Sequence, residues 1–273
     1  MSPLWCRHLY IGLSPDRISM LLLGRGMKPK VLAKHDELVE ASGGKDWRAA
    51  MDRLKLLLER PEWHQADASV ILSNRLCRFA VMPESSRTMS ETAGEALARH
   101  VMKQMYGEMA ERWLLCVERS KKGQPGLIAT LEHELLQQLQ QAAAEHRLSL
   151  KLVAPYLRSV VNRHDAGSKE SNAWLVIHEP GYFLIALLKH GRIVSINGVH
   201  SELEELPALL DRECLLSDLQ SPCCQVFLHA PACKNTSSIP KSPYQFVLLN
   251  MVTPSGFPSF SEGGYALPMS EFI

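Results

Sequence analysis

Several things common in catalytic or membrane-spanning chains are missing from this sequence. No Walker loop, G-x-S-x-G elbow, H-E-x-x-H pair or dinucleotide fingerprint occurs in its 273 residues, so phosphate cradling, acyl transfer, zinc hydrolysis and hydride transfer have no local signature. No unbroken apolar run approaches the ~20 residues that a bilayer crossing needs, which argues against a direct helical span. Charge excess is absent too: 30 Lys and Arg stand against 29 Asp and Glu, so no net field draws the chain to nucleic acid or anionic lipid. The opening MSPLWCRHLYIGL lacks a basic start followed by a long apolar stretch, and no secretory signal is expected. The seven Cys (Cys6, Cys77, Cys116, Cys214, Cys223, Cys224, Cys233) are odd in number and scattered, which favours reduced thiols in a cytoplasmic protein over a disulfide framework.

What the sequence does contain is a repeat. Trp174 to Asn197 reads as three short strands joined by two tight turns, and it has an earlier copy. With Tyr10 set against Leu175 the copies run without a gap at an offset of 165 residues: Pro15 faces Pro180, Gly26 faces Gly191, and Ile18–Leu23 faces Phe183–Leu188. A sheet nucleus repeated in this way predicts two related halves.

Between the copies the pattern alternates. After the first three strands, Asp46 is expected to cap a helix to about Arg60, with Leu54, Leu57 and Leu58 inward and Pro61 as the stop. Ala68–Leu72 and Cys77–Met82 read as a strand pair joined by Ser73-Asn74-Arg75. Ser90 caps a helix from Glu91 to about Tyr106; two strands, a helix over 131–146 and a further strand and short helix follow. The linker HDAGSKESN (164–172) is the expected boundary. Beyond it come the second meander, a helix over 202–216 and a strand over 224–229. From Ala230 the composition shifts to Pro, Ser, Gly and Thr, interrupted by a strand over 245–251, and the last 20 or so residues are expected to be loosely ordered.

Few residues suggest chemistry. Cys223, Cys224, His229 and Cys233 are the types zinc takes, yet adjacent Cys in a strand point to opposite faces and no C-x-x-C pairing is present. His178-Glu179 could serve as an acid/base pair, but strand neighbours do not face each other, and a solvated turn is the simpler reading. Arg99, His100 and Lys103 make a basic helix edge, most simply a wet face. Catalytic and metal residues are therefore none.

Two three-strand units, each opening one half of a mixed α/β chain, are the plan of the actin-like ATPase fold. More narrowly the chain resembles the PilM and GspL (cytoplasmic domain) family of type IV pilus and type II secretion assembly proteins. The resemblance is carried by LYIGLSPDRISMLLL, VILSNRLCRFAVMP, ETAGEALARHVMKQMYGE with RWLLCVE, and LIATLEHELLQQLQQAAAEHRLSLKLVAPY, and it covers roughly residues 8 to 229. It implies a duplicated actin-like (ribonuclease H-like) α/β architecture. Residues 1–165 would form the first half with an inserted αβ subdomain, 166–230 the second half, and 231–273 a C-terminal strand and tail.

In nucleotide-binding members of that fold each meander carries an acid and a Gly-rich turn that holds phosphate. Here Gly12 stands in the first acid's place, Ile177 is opposite it, and Pro15 and Pro180 sit in the turns with no N–H to offer. Gly181 and the nearby Asp16 remain, while Gly-Gly pairs occur only at Gly43-Gly44 and Gly263-Gly264. The resemblance therefore implies a cytoplasmic scaffold without a cofactor, peripheral to a bacterial inner membrane. It would dock a single-span, PilN-like protein or its cytoplasmic tail, with an assembly ATPase as a further partner and the membrane anchor on another polypeptide. The competing readings are an active actin-like ATPase or sugar-kinase-like enzyme using ATP with Mg, and a small-molecule enzyme of unrelated α/β fold. The expected partner surface is the strand pair 72–82 beside helix 91–106, with Arg75, Arg78, Arg99, Met102 and Met105, and Met109 beyond them, as its contacts.

Overall fold

The computed structural model describes residues 7–24, 29–40, 46–83, 90–118, 126–163, 172–217, 223–231, 233, 239, 241–249, 256–258 and 264–271. The linker 164–171 and Gly43-Gly44 lie outside them. The strands are β1 (Arg7–Ser14), β2 (Arg17–Gly24), β3 (Lys30–Leu38), β4 (Asp67–Leu72), β5 (Arg78–Met82), β6 (Trp113–Val117), β7 (Gly126–Glu132), β8 (Ser149–Pro155), β9 (Ala173–Glu179), β10 (Tyr182–Lys189), β11 (Arg192–Val199), β12 (Gln225–His229) and β13 (Gln245–Leu248). The helices are α1 (Arg48–Leu58), α2 (Glu91–Tyr106), α3 (His133–Glu145), α4 (Tyr156–Arg163), α5 (Leu206–Leu216) and the single turn α6 (Ala266–Met269). These elements fold as two compact units, residues 1–77, 131–160 and 251–273 in one and residues 78–130 and 161–250 in the other.

The first unit is built on a five-stranded sheet in the order β3-β2-β1-β4-β8, antiparallel through the meander and parallel from β1 onward. Strand alternation gives the central strands two different faces. Leu9, Ile11, Leu13, Ile18, Met20 and Leu22 share one face and are buried. Glu37 of β3 is on that face too, and Arg53 of α1 grips it at 2.7 and 3.0 Å, which fixes the side that α1 covers. Met51, Leu54, Leu57 and Leu58 are the apolar side of α1, and α3 packs beside it with Leu135, Leu139, Ala142 and Ala143 buried. Asp46 does serve the start of α1, accepting from Arg48 N at 3.0 Å, although Trp47 occupies the capping position.

The opposite face is of another kind. It mixes the small or polar His8, Tyr10, Gly12, Ser19 and Ser69 with buried Leu21, Leu23 and Ile71. His8 is buried, bonds Ser69 Oγ through Nε2 at 2.8 Å and stacks on Tyr10. This face is covered by α6, and there the sequence reading is corrected: residues 264–271 are not a loose tail but a largely buried segment, with Met269 and Ser270 at 0% and 2% exposure. The apolar cluster Tyr-Ala-Leu-Pro-Met inside a polar stretch is the reason.

The second unit repeats the plan. Its main sheet runs β11-β10-β9-β12-β13, the same connectivity strand for strand. Even the irregularities recur: the β2–β3 pairing slips between Leu22 and Leu23, the β10–β11 pairing between Leu187 and Leu188, at the same 165-residue offset. The core here combines Trp174, Val176, Phe183, Ile185 and Leu187 with Leu206 and Leu210 of α5.

A second, three-stranded sheet in the order β5-β7-β6 carries α2, which Ser90 caps through Ala93 N at 3.2 Å and Gly107 ends at a φ of 65°. The expected pairing of β4 with β5 does not form. Instead of a hairpin turn, Asn74–Leu76 makes a 3-10 turn that Ser73 caps, and Ser73 N extends the sheet by bonding Leu13 O at 2.8 Å. β5 pairs with β7 and runs near β11, so the segment 78–130 belongs with the second unit rather than the first half.

Candidate functional site

The turns of the two meanders, where the resemblance puts phosphate in nucleotide-binding members, each have their own geometry. In the first unit Ser14 pairs with Arg17, leaving only Pro15 and Asp16 to turn the chain. Asp16 Oδ2 takes a 2.6 Å ion pair from Arg75, whose side chain is only 15% exposed, and Asp16 O accepts from Val39 N. The other acid nearby, Asp36, is held in a fork by Arg17 at 2.8 and 2.6 Å, a bond that raises the Arg17 pKa further above its ordinary value. Buried Asn74 accepts from Leu157 N through Oδ1 at 2.9 Å, which caps the start of α4.

Gly12 is the centre of this arrangement. A Cβ built there lies 2.6 Å from Ser19 Oγ and 2.7 Å from both Leu267 Cβ and Pro268 Cδ. No acid fits at Gly12 while α6 is in place. The sequence marked Gly12 as a lost acid but gave no sign of what fills the space.

In the second unit Glu179 pairs with Tyr182 around Pro180-Gly181, the composition of a type II turn, with Gly181 at a φ of 67°. Its carbonyl accepts from Ser201 N at 3.3 Å and lies within reach of His200 Nδ1, and the atom nearest a Cβ built at Gly181 is a carboxylate oxygen of Glu202, 3.9 Å away. His178 is half-buried against Phe183, and burial lowers its pKa despite the opposing pull of Glu204, so its ring favours the neutral form. Glu179 is buried on the other side of β9, so the two neighbours do not act on one point.

The remaining sequence candidates separate. Cys223 is buried and Cys224 exposed; burial pushes the Cys223 thiol up, away from the thiolate that zinc binds. Of the partner-surface residues, Arg75 belongs to the first unit and is committed to Asp16, while Met102 lies in the core under the three-stranded sheet at 1% exposure and has no surface to offer. Arg78, Arg99 and Met105 are exposed in the second unit, Arg99 pairing with Glu95 at 3.2 Å and Met105 being 55% exposed beside Met109 at 67%.

No protein-family model matches this sequence, and no curated protein matches it. Solved structures do. The chain is similar to the cytoplasmic domain of EpsL, an inner-membrane component of the type II secretion system of Vibrio cholerae, at 12% identity and a TM-score of 0.53, with 90% of each chain covered. It is similar to PilM in the PilM–PilN type IV pilus biogenesis complex at 12% identity and a TM-score of 0.58, covering 81% and 80%. A Bacteroides thetaiotaomicron protein of actin-like ATPase fold and unknown function matches at 12% identity and a TM-score of 0.57, covering 87% and 88%. The duplicated sheets are thus those of the actin-like fold.

Proposed function

We propose that this chain is a non-enzymatic scaffold of a type IV pilus or type II secretion assembly platform, working at the cytoplasmic face of an inner membrane by docking a single-span membrane protein or its tail. The observation that carries the reading is the packing of Leu267 and Pro268 against Gly12, in the volume an acid of the first meander would need. Mg-ATP does not fit the surrounding residues: Asp16 and Asp36 are each held by an arginine, and both turns contain a proline that offers no amide to phosphate. The likeness to the EpsL cytoplasmic domain and to PilM bound to PilN supports the assembly role over the kinase-like alternative.

The partner surface we favour is the exposed side of α2 with the start of β5, where Arg78, Arg99, Met105 and Met109 combine positive charge with adaptable apolar side chains. Calorimetric titration with Mg-ATP is expected to give no constant tighter than about millimolar, near 4 kcal/mol of binding. A micromolar constant overturns the reading. Arg78→Glu with Arg99→Glu should leave stability within ~0.5 kcal/mol, as surface changes do, and weaken capture of an acidic membrane-protein tail.

A further inference from the structure

The segment Gly264–Glu271 belongs to the first unit but adds nothing to its sheet. The five strands complete their ladders without it, and it lies across the face that carries Gly12, Ser19 and Ser69 together with His8, Tyr10, Leu21, Leu23 and Ile71. Both ends are held by side chains. At the start, Ser19 Oγ donates to Gly264 O at 2.8 Å and Gly264 N donates to Asp36 Oδ1 at 3.2 Å, the carboxylate that Arg17 orients. At the end, Ser159 Oγ donates to Glu271 Oε1 at 2.7 Å, with Arg158 NH1 3.7 Å away.

Between these clamps Leu267 and Pro268 press on Gly12, and Lys34 approaches the Tyr265 ring. Glycine is required on both sides of the contact. A Cβ at Gly264 would lie 2.7 Å from Arg17 Cδ, as one at Gly12 would lie 2.7 Å from Leu267 Cβ. A backbone read at one end, a carboxylate at the other and an apolar Leu-Pro centre between them are the features by which proteins recognise short peptides.

We propose that the face of the first sheet beneath Gly264–Glu271 is a receptor for a short, Leu-Pro-centred acidic peptide, held closed in this structure by the chain's own C-terminal segment. The segment is a removable strap. Lifting it breaks no ladder bond and opens a mixed face, the polar His8, Tyr10, Ser19 and Ser69 beside the apolar Leu21, Leu23 and Ile71 that a Leu-Pro centre can cover, while the other face stays under α1 and α3. The inference is independent of any pilus or secretion role.

The test uses the full chain with a protease site inserted between Pro258 and Gly264 and cut after folding. A labelled synthetic peptide of residues 264–273 is expected to exchange into the cut protein saturably, while a Glu271→Lys peptide binds about tenfold or more weakly, the worth of a hydrogen bond to a charged group. The cut protein should keep its circular dichroism once the native segment has left. Unfolding on loss of the segment, or failure of the peptide to rebind a protein that remains folded, overturns the proposal. In the uncut chain, Gly12→Asp should strip hydrogen-exchange protection from residues 264–271 and leave it in β1 and β2. Unchanged protection of the segment, or joint loss from segment and strands, overturns it equally.

Discussion

The two meanders share a backbone and use it in opposite ways. At the offset that superimposes their pairings, His8, Tyr10, Gly12 and Ser19 of the first correspond to Ala173, Leu175, Ile177 and Leu184 of the second. All four residues of the second set are apolar and at most 2% exposed. At Ile177 and Leu184 the second face is filled by its own large side chains; the first has Gly12 and Ser19 at those places and takes a segment from about 250 residues away. Duplication has preserved strand order and even the bulges, while side-chain volume has moved between the copies. What the copies have in common is therefore a scaffold, and what distinguishes them is where they leave room.

That contrast predicts unequal responses to equivalent substitutions. The largest is expected at Ile177→Ala, which removes a side chain 1% exposed and should cost about 2–5 kcal/mol in chemical denaturation. A loss under about 1 kcal/mol would mean that the second face is not a packed core. At the matching position Gly12→Ala adds volume instead and should cost about 1–3 kcal/mol by overpacking. Thermal or urea midpoints report the change directly.

Gly181→Ala tests the second turn, where strain rather than crowding is at issue: a Cβ finds no neighbour closer than 3.9 Å, but a φ of 67° costs an L-residue about 1–2 kcal/mol. A Gly181→Ala cost well above ~2 kcal/mol would mean that crowding, not backbone strain, governs this turn.

The smallest expected effect concerns the α1 side of the first sheet. Bonds from Arg53, and then from His35, hold the Glu37 carboxyl below its ordinary value of 4.5. A carboxylate whose folded pKa is depressed adds stability above its unfolded value and loses it as pH falls through the folded one. Glu37→Gln should therefore lower stability slightly at neutral pH and flatten the decline below about pH 4.5. An unchanged acid limb would show that the Arg53–Glu37 fork adds little in solution.

Much of this fold could be read in advance because its signals are local. Both meanders, Asp46 and Ser90 at helix starts, and the aliphatic sides of α1 and α3 follow from short-range period and capping chemistry. The errors lie where long-range partners decide. Ser73-Asn74-Arg75 looks like a hairpin turn until Asn74 is seen capping α4, 83 residues on. Met102 looks like an adaptable surface side chain until the sheet it packs against is assembled. The strap was missed because its eight residues have no period of their own; they become ordered by what Gly12, Ser19 and Asp36 offer them. Of the candidate site, the glycine at position 12 was legible and the packing of Leu267 and Pro268 against it was not.

The strap also has a place in time. During translation the last strand of the first sheet, β8, is finished at Pro155, whereas Gly264 leaves the ribosome roughly 110 residues later. At the ~5–20 residues per second of protein synthesis, the face over Gly12 stays bare for about 5–20 s after the sheet can form. Through that interval the face presents Leu21, Leu23 and Ile71 beside its polar His8, Tyr10, Ser19 and Ser69, so the arrival of the segment also closes an apolar patch that a nascent chain would otherwise expose.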